Sequence, residues 1–174
     1  LERTVREIRD NTVTTRSRAT YQNSYCRFLA WLVRNKPHLA PQPFLEALDN
    51  TADGSLQQLR TTIKALITQD RRVVPLDFAA VAAEDFVTWL VTLVRTDGGA
   101  LSSSVLNTHR EGLFNLFRDY GCTMSKNLES ELTNYFKGLK NRLAKAAANG
   151  ERSVKTGKDL LMFDLYSFLW KKML

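Results

Sequence analysis

Apolar residues recur every three or four positions between Leu128 and Ala146, and this spacing constrains the fold more than any other feature of the chain. The series is Leu128, Leu132, Tyr135, Phe136, Leu139, Leu143 and Ala146. Residues at this spacing share one face of an α-helix, so the stretch predicts a helix with one buried side. The basic residues Lys137, Lys140, Arg142 and Lys145 project from the rest of its circumference. Asn149 and Gly150 predict where the helix ends.

Positive charge is concentrated in this part of the chain. Residues 132–158 hold seven Lys and Arg and one Asp or Glu, a local +6 in a chain whose total is +7. Residues 39–97 hold five basic and eight acidic residues, a net charge of −3. A pI near 9.6 indicates a polyanionic partner such as nucleic acid. We therefore expect phosphate contacts at the basic end and not within residues 39–97.

Length and composition indicate one globular domain, or one domain and the start of another. The chain has 174 residues, of which 44% are hydrophobic and 25% charged. It has no apolar run of about 18 residues and no signal peptide, so we expect an intracellular protein without a membrane partner. Cys26 and Cys122 are expected to be reduced, buried thiols. His38 and His109 are too few for a histidine-led zinc site, and we expect no metal or cofactor.

Three further stretches, residues 14–36, 55–70 and 101–121, show helical periodicity with one apolar stripe. Residues 14–36 place Tyr21, Tyr25, Phe28, Leu29 and Leu32 on one side, and Arg16, Thr20, Asn23, Arg27 and Arg34 on the other. Residues 55–70 predict a shorter helix, with Leu56, Leu59, Ile63, Leu66 and Ile67 on one stripe. Residues 75–94 are apolar nearly all round, which predicts the central buried helix.

The third amphipathic stretch follows a turn at Asp97-Gly98-Gly99 and covers residues 101–121. Ser102, Ser103 and Ser104 are N-cap candidates, and Gly121 is the expected end. Its core side is Leu106, Leu113, Leu116, Phe117 and Tyr120, and its far side is Ser104, Asn107, Thr108, Glu111, Asn115 and Arg118, with Arg110 at the flank. Short amides and hydroxyls bond phosphate oxygens and base edges. The alternative for each polar face is ordinary solvated surface.

In this order the stretches resemble the N-terminal half of the Cre-like tyrosine site-specific recombinases. The resemblance lies in RFLAWL, EDFVTWL, SSSVLNTHREGLFNLFRDYG and KGLKNRLAK, and KTGKDLLMFDLY is also similar to eukaryotic crypton-type members. It implies an all-α, SAM-like core-binding bundle of four to six helices in residues 1–148, with an insertion at about 41–70. A basic linker at 149–158 and the first helix of a truncated catalytic domain at 159–174 would follow. The crypton-type similarity favours a transposon-derived protein, nuclear if eukaryotic.

The resemblance also implies a function in DNA recombination or integration. Family members clamp double-stranded DNA between two domains and assemble as a tetramer on DNA, and we expect this fragment alone to be monomeric. The contacts would come from Arg16, Thr20, Asn23, Arg27, Ser104, Asn107, Thr108, Arg110 and Arg118, with Lys137, Lys140, Lys145, Arg152, Lys155 and Lys158 on the backbone. The family's catalytic tyrosine and its helpers lie in the C-terminal domain. We therefore expect no catalytic residue here, with Tyr120, Tyr135 and Tyr166 in the core.

Two other functions remain open on the sequence. One is a helical protein-interaction module, a domesticated recombinase relative that uses the apolar stretch from Met162 to Met173. The other is an unrelated enzyme, which finds little support because the sequence lacks a Gly-rich phosphate loop, HExxH and GxSxG. Glu84 and Asp85 fit a helix N-terminus better than a catalytic pair.

Overall fold

The protein is an all-α bundle. The computed structural model describes residues 14–93 and 101–150, together with residues 4 and 99, and these contain no strand. Their six α-helices are α1 (Thr15–Asn35), α2 (Gln42–Leu48), α3 (Leu56–Gln69), α4 (Ala83–Thr92), α5 (Ser103–Asp119) and α6 (Lys126–Ala148). Short 3-10 turns at Pro37–Leu39 and Asp49–Asp53 flank α2. The predicted fold class is confirmed.

The helices begin and end at residues whose side chains or backbone satisfy the helix termini. Thr14 caps α1, and Ser102 caps α5 as the sequence predicts, because each side-chain oxygen accepts a backbone N–H of the first turn. Ser55 and Gln58 form a reciprocal capping box at α3. Gly121 and Gly150 follow α5 and α6 with φ of 64° and 67°, a conformation that favours glycine.

Helix α1 lies at the centre of the bundle and packs against α3, α4 and α5. Its residues Tyr25, Phe28 and Leu32 are at most 2% exposed. The ring of Phe28 meets Phe86 and Trp89 of α4 at centroid distances of 5.2 and 5.3 Å. Because burial of such side chains is the main favourable term in folding, this aromatic cluster joins α1 to α4.

Helix α4 differs from its prediction. It covers ten residues, and only one side is buried: Ala83, Phe86 and Trp89 face the core, whereas Val91 is 55% exposed. The preceding residues form turns in which the Asp77 carboxylate accepts the backbone N–H groups of Ala79 and Ala80. The prediction of a central helix buried all round was therefore wrong. A turn that the aspartate stabilises shortens the helix, and α1 takes the central position.

Two single-residue expectations were also wrong. Tyr135 is 42% exposed, although it belongs to the apolar stripe of α6. Asn115 is 5% exposed, although the pattern assigned it to the polar face of α5. It follows Gly112 by three residues, and Gly112 lies against Ser24 of α1, so α1 covers this edge of α5.

Residues 41–70, which the family resemblance treats as an insertion, contribute to the core. Phe44 and Leu48 of α2 and Leu59, Ile63 and Ile67 of α3 are each at most 1% exposed. Helix α3 packs along α1, and α2 packs on α3. The bundle thus depends on this stretch. None of the helices in the described part is long and apolar enough to cross a membrane.

Candidate nucleic-acid interface

The polar strip of α1 lies between two neighbouring helices. On one side Lys64 of α3 donates to the Asn23 Oδ1 atom at 2.8 Å. On the other, the Ser24 hydroxyl and the Nδ1 atom of His109 in α5 form a buried hydrogen bond of 2.7 Å. The predicted contact residues of α1 are exposed along this strip: Arg16, Thr20, Asn23 and Arg27. The strip is therefore accessible, and α3 and α5 border it.

The polar side of α5 is accessible along a narrower line. Ser104 and Arg118 are exposed, whereas Asn107 and Thr108 are half-buried. Glu111 is exposed on the same line, so this surface carries an acidic group as well as donors and acceptors. Ser104, Asn107, Thr108 and Arg118 thus share one outer side. Because three of these four side chains are neutral, hydrogen bonding, and not charge, is the main capacity of this side.

Two hydroxyl groups in these strips already donate to their own helix. Thr20 Oγ1 donates to the carbonyl oxygen of Arg16, and Thr108 Oγ1 donates to that of Ser104, both at 3.1 Å. Such bonds are common in helices and leave the oxygen lone pairs free to accept. Toward a ligand, these two side chains are therefore acceptors in the observed rotamers.

Arg110 joins α5 to α6. Its guanidinium donates to the Thr133 hydroxyl at 3.1 Å and lies 5.4 Å from the ring centroid of Phe136 and 5.6 Å from that of Phe114. Its Nε atom is buried and makes no hydrogen bond. The side chain is thus held between the two helices by a hydrogen bond and cation–π contacts. It links α5 to α6, and its guanidinium has little freedom to move toward a ligand.

The predicted lysines of α6 are exposed and lie on two sides of the helix. Lys137 and Lys140 follow Thr133 by four and seven residues, so they share the side of α6 that faces α5. Lys145 lies farther round. We call the exposed polar surface that runs across these three helices the basic face. It consists of Arg16, Thr20, Asn23, Arg27, Ser104, Asn107, Thr108, Arg118, Lys137 and Lys140.

The buried polar groups beneath the basic face are neutral. Burial, and next the charge of Arg27, lower the pKa of His109 to about 4. Burial and the neighbouring Arg60 guanidinium lower the pKa of Arg27 itself. His109 is therefore an uncharged imidazole at neutral pH. Its ring meets Trp89 edge-on, with centroids 5.1 Å apart, which fixes it as a structural group of the core.

The phenols of Tyr25 and Tyr120 are held in the protonated form. Burial raises the pKa of Tyr120 to about 12, and its ring packs on Phe78 at 5.7 Å. Burial also raises the pKa of Tyr25, whose hydroxyl donates to Asp119 at 2.8 Å. Tyr135 is exposed, but no base lies within hydrogen-bond distance of its hydroxyl among the described residues. Tyr166 lies outside the described residues.

The predicted linker contacts and the two cysteines meet the structure as follows. Arg152, Lys155 and Lys158, the predicted linker contacts, lie outside the described residues. Cys26 and Cys122 are free thiols, the first buried and the second half-buried. Among the described side chains there is no group of three or more His, Cys, Asp and Glu that could hold a metal ion.

A groove on the opposite side of α6 separates it from α4. Its volume is about 690 Å³, and it is lined by Ala82, Glu84, Val87, Val91, Glu131, Asn134, Tyr135, Gly138, Leu139 and Arg142. Tyr135 and Val91 are its exposed apolar residues. Arg142, whose charge the sequence pattern grouped with the lysines of α6, belongs to this groove. The basic residues of α6 therefore serve two different surfaces.

Two basic residues that the sequence reasoning passed over lie beside the basic face. Arg60 is half-buried and Lys64 exposed on α3, next to Arg27 and Asn23. The signal was present as two basic residues four apart in a helix without an acidic residue.

Comparison with protein-family models, with curated proteins and with solved structures finds no match to this chain.

Proposed function

We propose that the basic face binds duplex DNA. The observation that carries the proposal is the connection of three helices below that face. The buried Ser24–His109 bond joins α1 to α5, and the Arg110–Thr133 bond at the surface links α5 to α6, which packs mainly on α4. Arginine, lysine, amide and hydroxyl side chains from all three helices are thereby held along one side of the molecule. Such a mixture of cations and short polar groups is typical of DNA-binding surfaces.

The two kinds of side chain have different tasks. Lysine and arginine neutralise phosphates and supply affinity that is independent of sequence and sensitive to salt. The short polar residues of α5 are suited to base edges, which offer donors and acceptors in the major groove. That groove is about 12 Å wide, and an α-helix with its side chains is about 10–12 Å across, so one helix fits inside it. We assign this position to α5, and the backbone contacts to Arg16 and Arg27 of α1 and to the lysines of α6.

The wider context of this binding is the N-terminal clamp of a tyrosine recombinase or integrase. This assignment rests on the order of the helical stretches and their resemblance to that family. The catalytic tyrosine, the tetramer on DNA and a nuclear location in a eukaryotic host would belong to the whole protein. The sequence that follows this chain in its gene tests the assignment. It should contain an Arg, a Lys, an HxxR motif and a late Tyr, and a gene that encodes none of them would exclude it.

Fluorescence anisotropy with a labelled random duplex tests DNA binding directly. We expect the logarithm of the binding constant to fall by about 0.9 for each neutralised phosphate as the logarithm of the salt concentration rises. Changing Lys137, Lys140 and Lys145 to Glu should abolish measurable binding. The side chains are exposed, so the variant should remain folded, which circular dichroism checks.

Helix α6 offers a matched pair of single substitutions. Lys140→Glu and Arg142→Glu change the net charge equally, but Lys140 belongs to the basic face and Arg142 to the groove beside α4. We expect Lys140→Glu to lower affinity about tenfold and Arg142→Glu to have a clearly smaller effect. Equal losses would mean that net charge, and not the basic face, governs binding. Wild-type affinity in the triple variant would rule out this assignment.

The groove between α4 and α6 favours a second candidate function, a helical protein-interaction module. Exposed Tyr135 and Val91 provide an apolar surface, and Glu84 and Glu131 lie beside it. This arrangement fits an amphipathic helix with basic residues at its margin. If duplex DNA does not bind, and Tyr135→Ala prevents capture of such a helix, the interaction module replaces the DNA-binding proposal.

A further inference from the structure

Helices α1 and α3 run antiparallel in a register that three pairs of hydrogen-bonded residues define. Arg34 donates to the carbonyl oxygen of Gly54 just before α3, and Gln22 donates to Thr68 near its end, at 3.4 Å. Between these contacts Lys64 bonds Asn23 at 2.8 Å. One helical turn farther along α1 is Arg27, and one turn earlier along α3 is Arg60. The register therefore brings the guanidinium groups of Arg27 and Arg60 to the same place.

Within the described part of the chain, these positive charges have no acidic partner. Helix α3 contains no Asp or Glu. Two carboxylates elsewhere in the bundle have their own basic partners: Asp85 pairs with Lys36, and Asp70 with Arg72. Within the described residues no ion pair engages Arg27, Arg60 or Lys64. The net charge of −3 over residues 39–97 thus conceals a helix whose charged residues are all basic.

We infer that Arg27, Arg60, Lys64 and Asn23 form a binding site for a backbone phosphate of the duplex, an inference that rests on the proposed function. Every group in the site donates. The two guanidinium groups and the ammonium supply charged N–H donors, and the guanidinium fork matches phosphate oxygens. Because the Asn23 Oδ1 atom accepts from Lys64, its Nδ2 amide remains as a further donor. The site extends the basic face onto α3.

The placement of Arg27 gives a physical reason for an anion at this site. Its guanidinium is partly desolvated and close to a like charge, both of which disfavour the cationic form. A bound phosphate would compensate both effects, whereas the unliganded protein carries the repulsion. Surfaces that hold uncompensated like charges together commonly do so for a ligand. Inorganic phosphate should therefore raise the melting temperature of the wild type more than that of a variant without Arg60 and Lys64.

The decisive test compares two double variants that remove the same charge. Arg60→Gln with Lys64→Gln removes two cations from the site, and Arg71→Gln with Arg72→Gln removes two from the loop after α3. With a labelled duplex at two or more salt concentrations, we expect the first variant to bind about tenfold more weakly, with a salt slope smaller by about 0.9. The control should stay within about twofold of the wild type.

The outcomes separate this inference from the proposed function. If the wild type binds DNA, the Glu substitutions in α6 abolish binding, and the Arg60 and Lys64 variant matches the wild type, the phosphate site is wrong while DNA binding stands. If the wild type does not bind DNA, both fail. Lys64→Gln also removes the bond to Asn23, so Arg60→Gln alone serves if the double variant melts at a lower temperature. Among the described residues Arg60 makes no hydrogen bond whose loss could account for a folding defect.

Discussion

Helices α1 and α5 approach each other closely at Gly112. A Cβ atom at this position would lie 2.7 Å from Ser24 Oγ, 2.9 Å from Ser24 Cβ and 3.3 Å from the Tyr21 carbonyl oxygen. Glycine is required here because any side chain would push the helices apart. The contact also sets the Ser24 hydroxyl against His109, so one small residue positions the polar pair at the centre of the interface.

Gly112→Ala should therefore destabilise the protein. Overpacking costs about 1–3 kcal/mol, which the higher helix propensity of alanine offsets by about 1 kcal/mol. Gly138→Ala is the matched control, because no atom lies within 4 Å of its added Cβ. We expect it to stabilise α6 by about 0.5–1 kcal/mol. Urea unfolding of both variants measures the difference, and equal effects would contradict the close approach at Gly112.

His109 should make stability depend on pH. Its pKa is about 4 in the fold, below its ordinary value of 6.5, so between these values the unfolded chain binds the extra proton. The contribution of His109 to the free energy of unfolding is fully present above about pH 6.5, and it falls as the pH is lowered toward 4. His109→Gln cannot titrate. The stability difference between wild type and variant should therefore shrink over this window, and a difference independent of pH would contradict the buried neutral imidazole.

At the scale of single residues, the sequence predicted many of the core positions but not which neighbouring helix covers each side chain. The core positions Tyr25, Phe28 and Leu116 were correctly read from periodicity alone. Tyr135 and Asn115 were misplaced because a neighbouring helix, which periodicity does not specify, leaves the first exposed and covers the second. The Ser24–His109 bond likewise depends on the packing of two helices 85 residues apart in sequence.

Helix α3 shows how far local signals determine an element. Its buried positions Leu59, Ile63 and Ile67 and its end near Asp70 follow from the sequence, and its position along α1 does not. The same stretch was expected to be an insertion, from the family resemblance, and to lack phosphate contacts, from the net charge of residues 39–97. Acidic residues that cap turns or form ion pairs with basic residues account for that net charge. The net charge of a segment therefore says little about the charge on one face of a helix within it.

Because α3 belongs to the core, a cavity within it should destabilise the whole bundle. Ile63 is fully buried, and Ile63→Ala should cost about 2–5 kcal/mol and leave a single cooperative unfolding transition. Thr61→Ala, at an exposed position of the same helix, should change stability by less than about 0.5 kcal/mol. Circular dichroism during urea unfolding checks this. An early separate transition for α3 in the variant would show that the stretch is an independent appendage.

At the scale of the molecule, the contacts place α3, α1, α5 and α6 next to one another in that order. The order follows from the pairs Lys64–Asn23, Ser24–His109 and Arg110–Thr133, all between residues distant in sequence. The sequence predicted the polar strips, and the family resemblance suggested that α1 and α5 act together. Neither of them predicted that α3 lies beside α1, or that Arg142 lines the groove beside α4. Which helices become neighbours is a property of tertiary packing.

The central claim is that DNA meets the basic face and not the groove between α4 and α6. Amide chemical shifts of the 19.8 kDa protein, followed by NMR during titration with a short random duplex, test it most directly. We predict that the shifts cluster on the exposed strips of α1 and α5, on Arg60 and Lys64 of α3 and on Lys137 and Lys140 of α6, while Val91 and Tyr135 stay unchanged. Shifts confined to the groove, or no shifts at low salt, would contradict the claim.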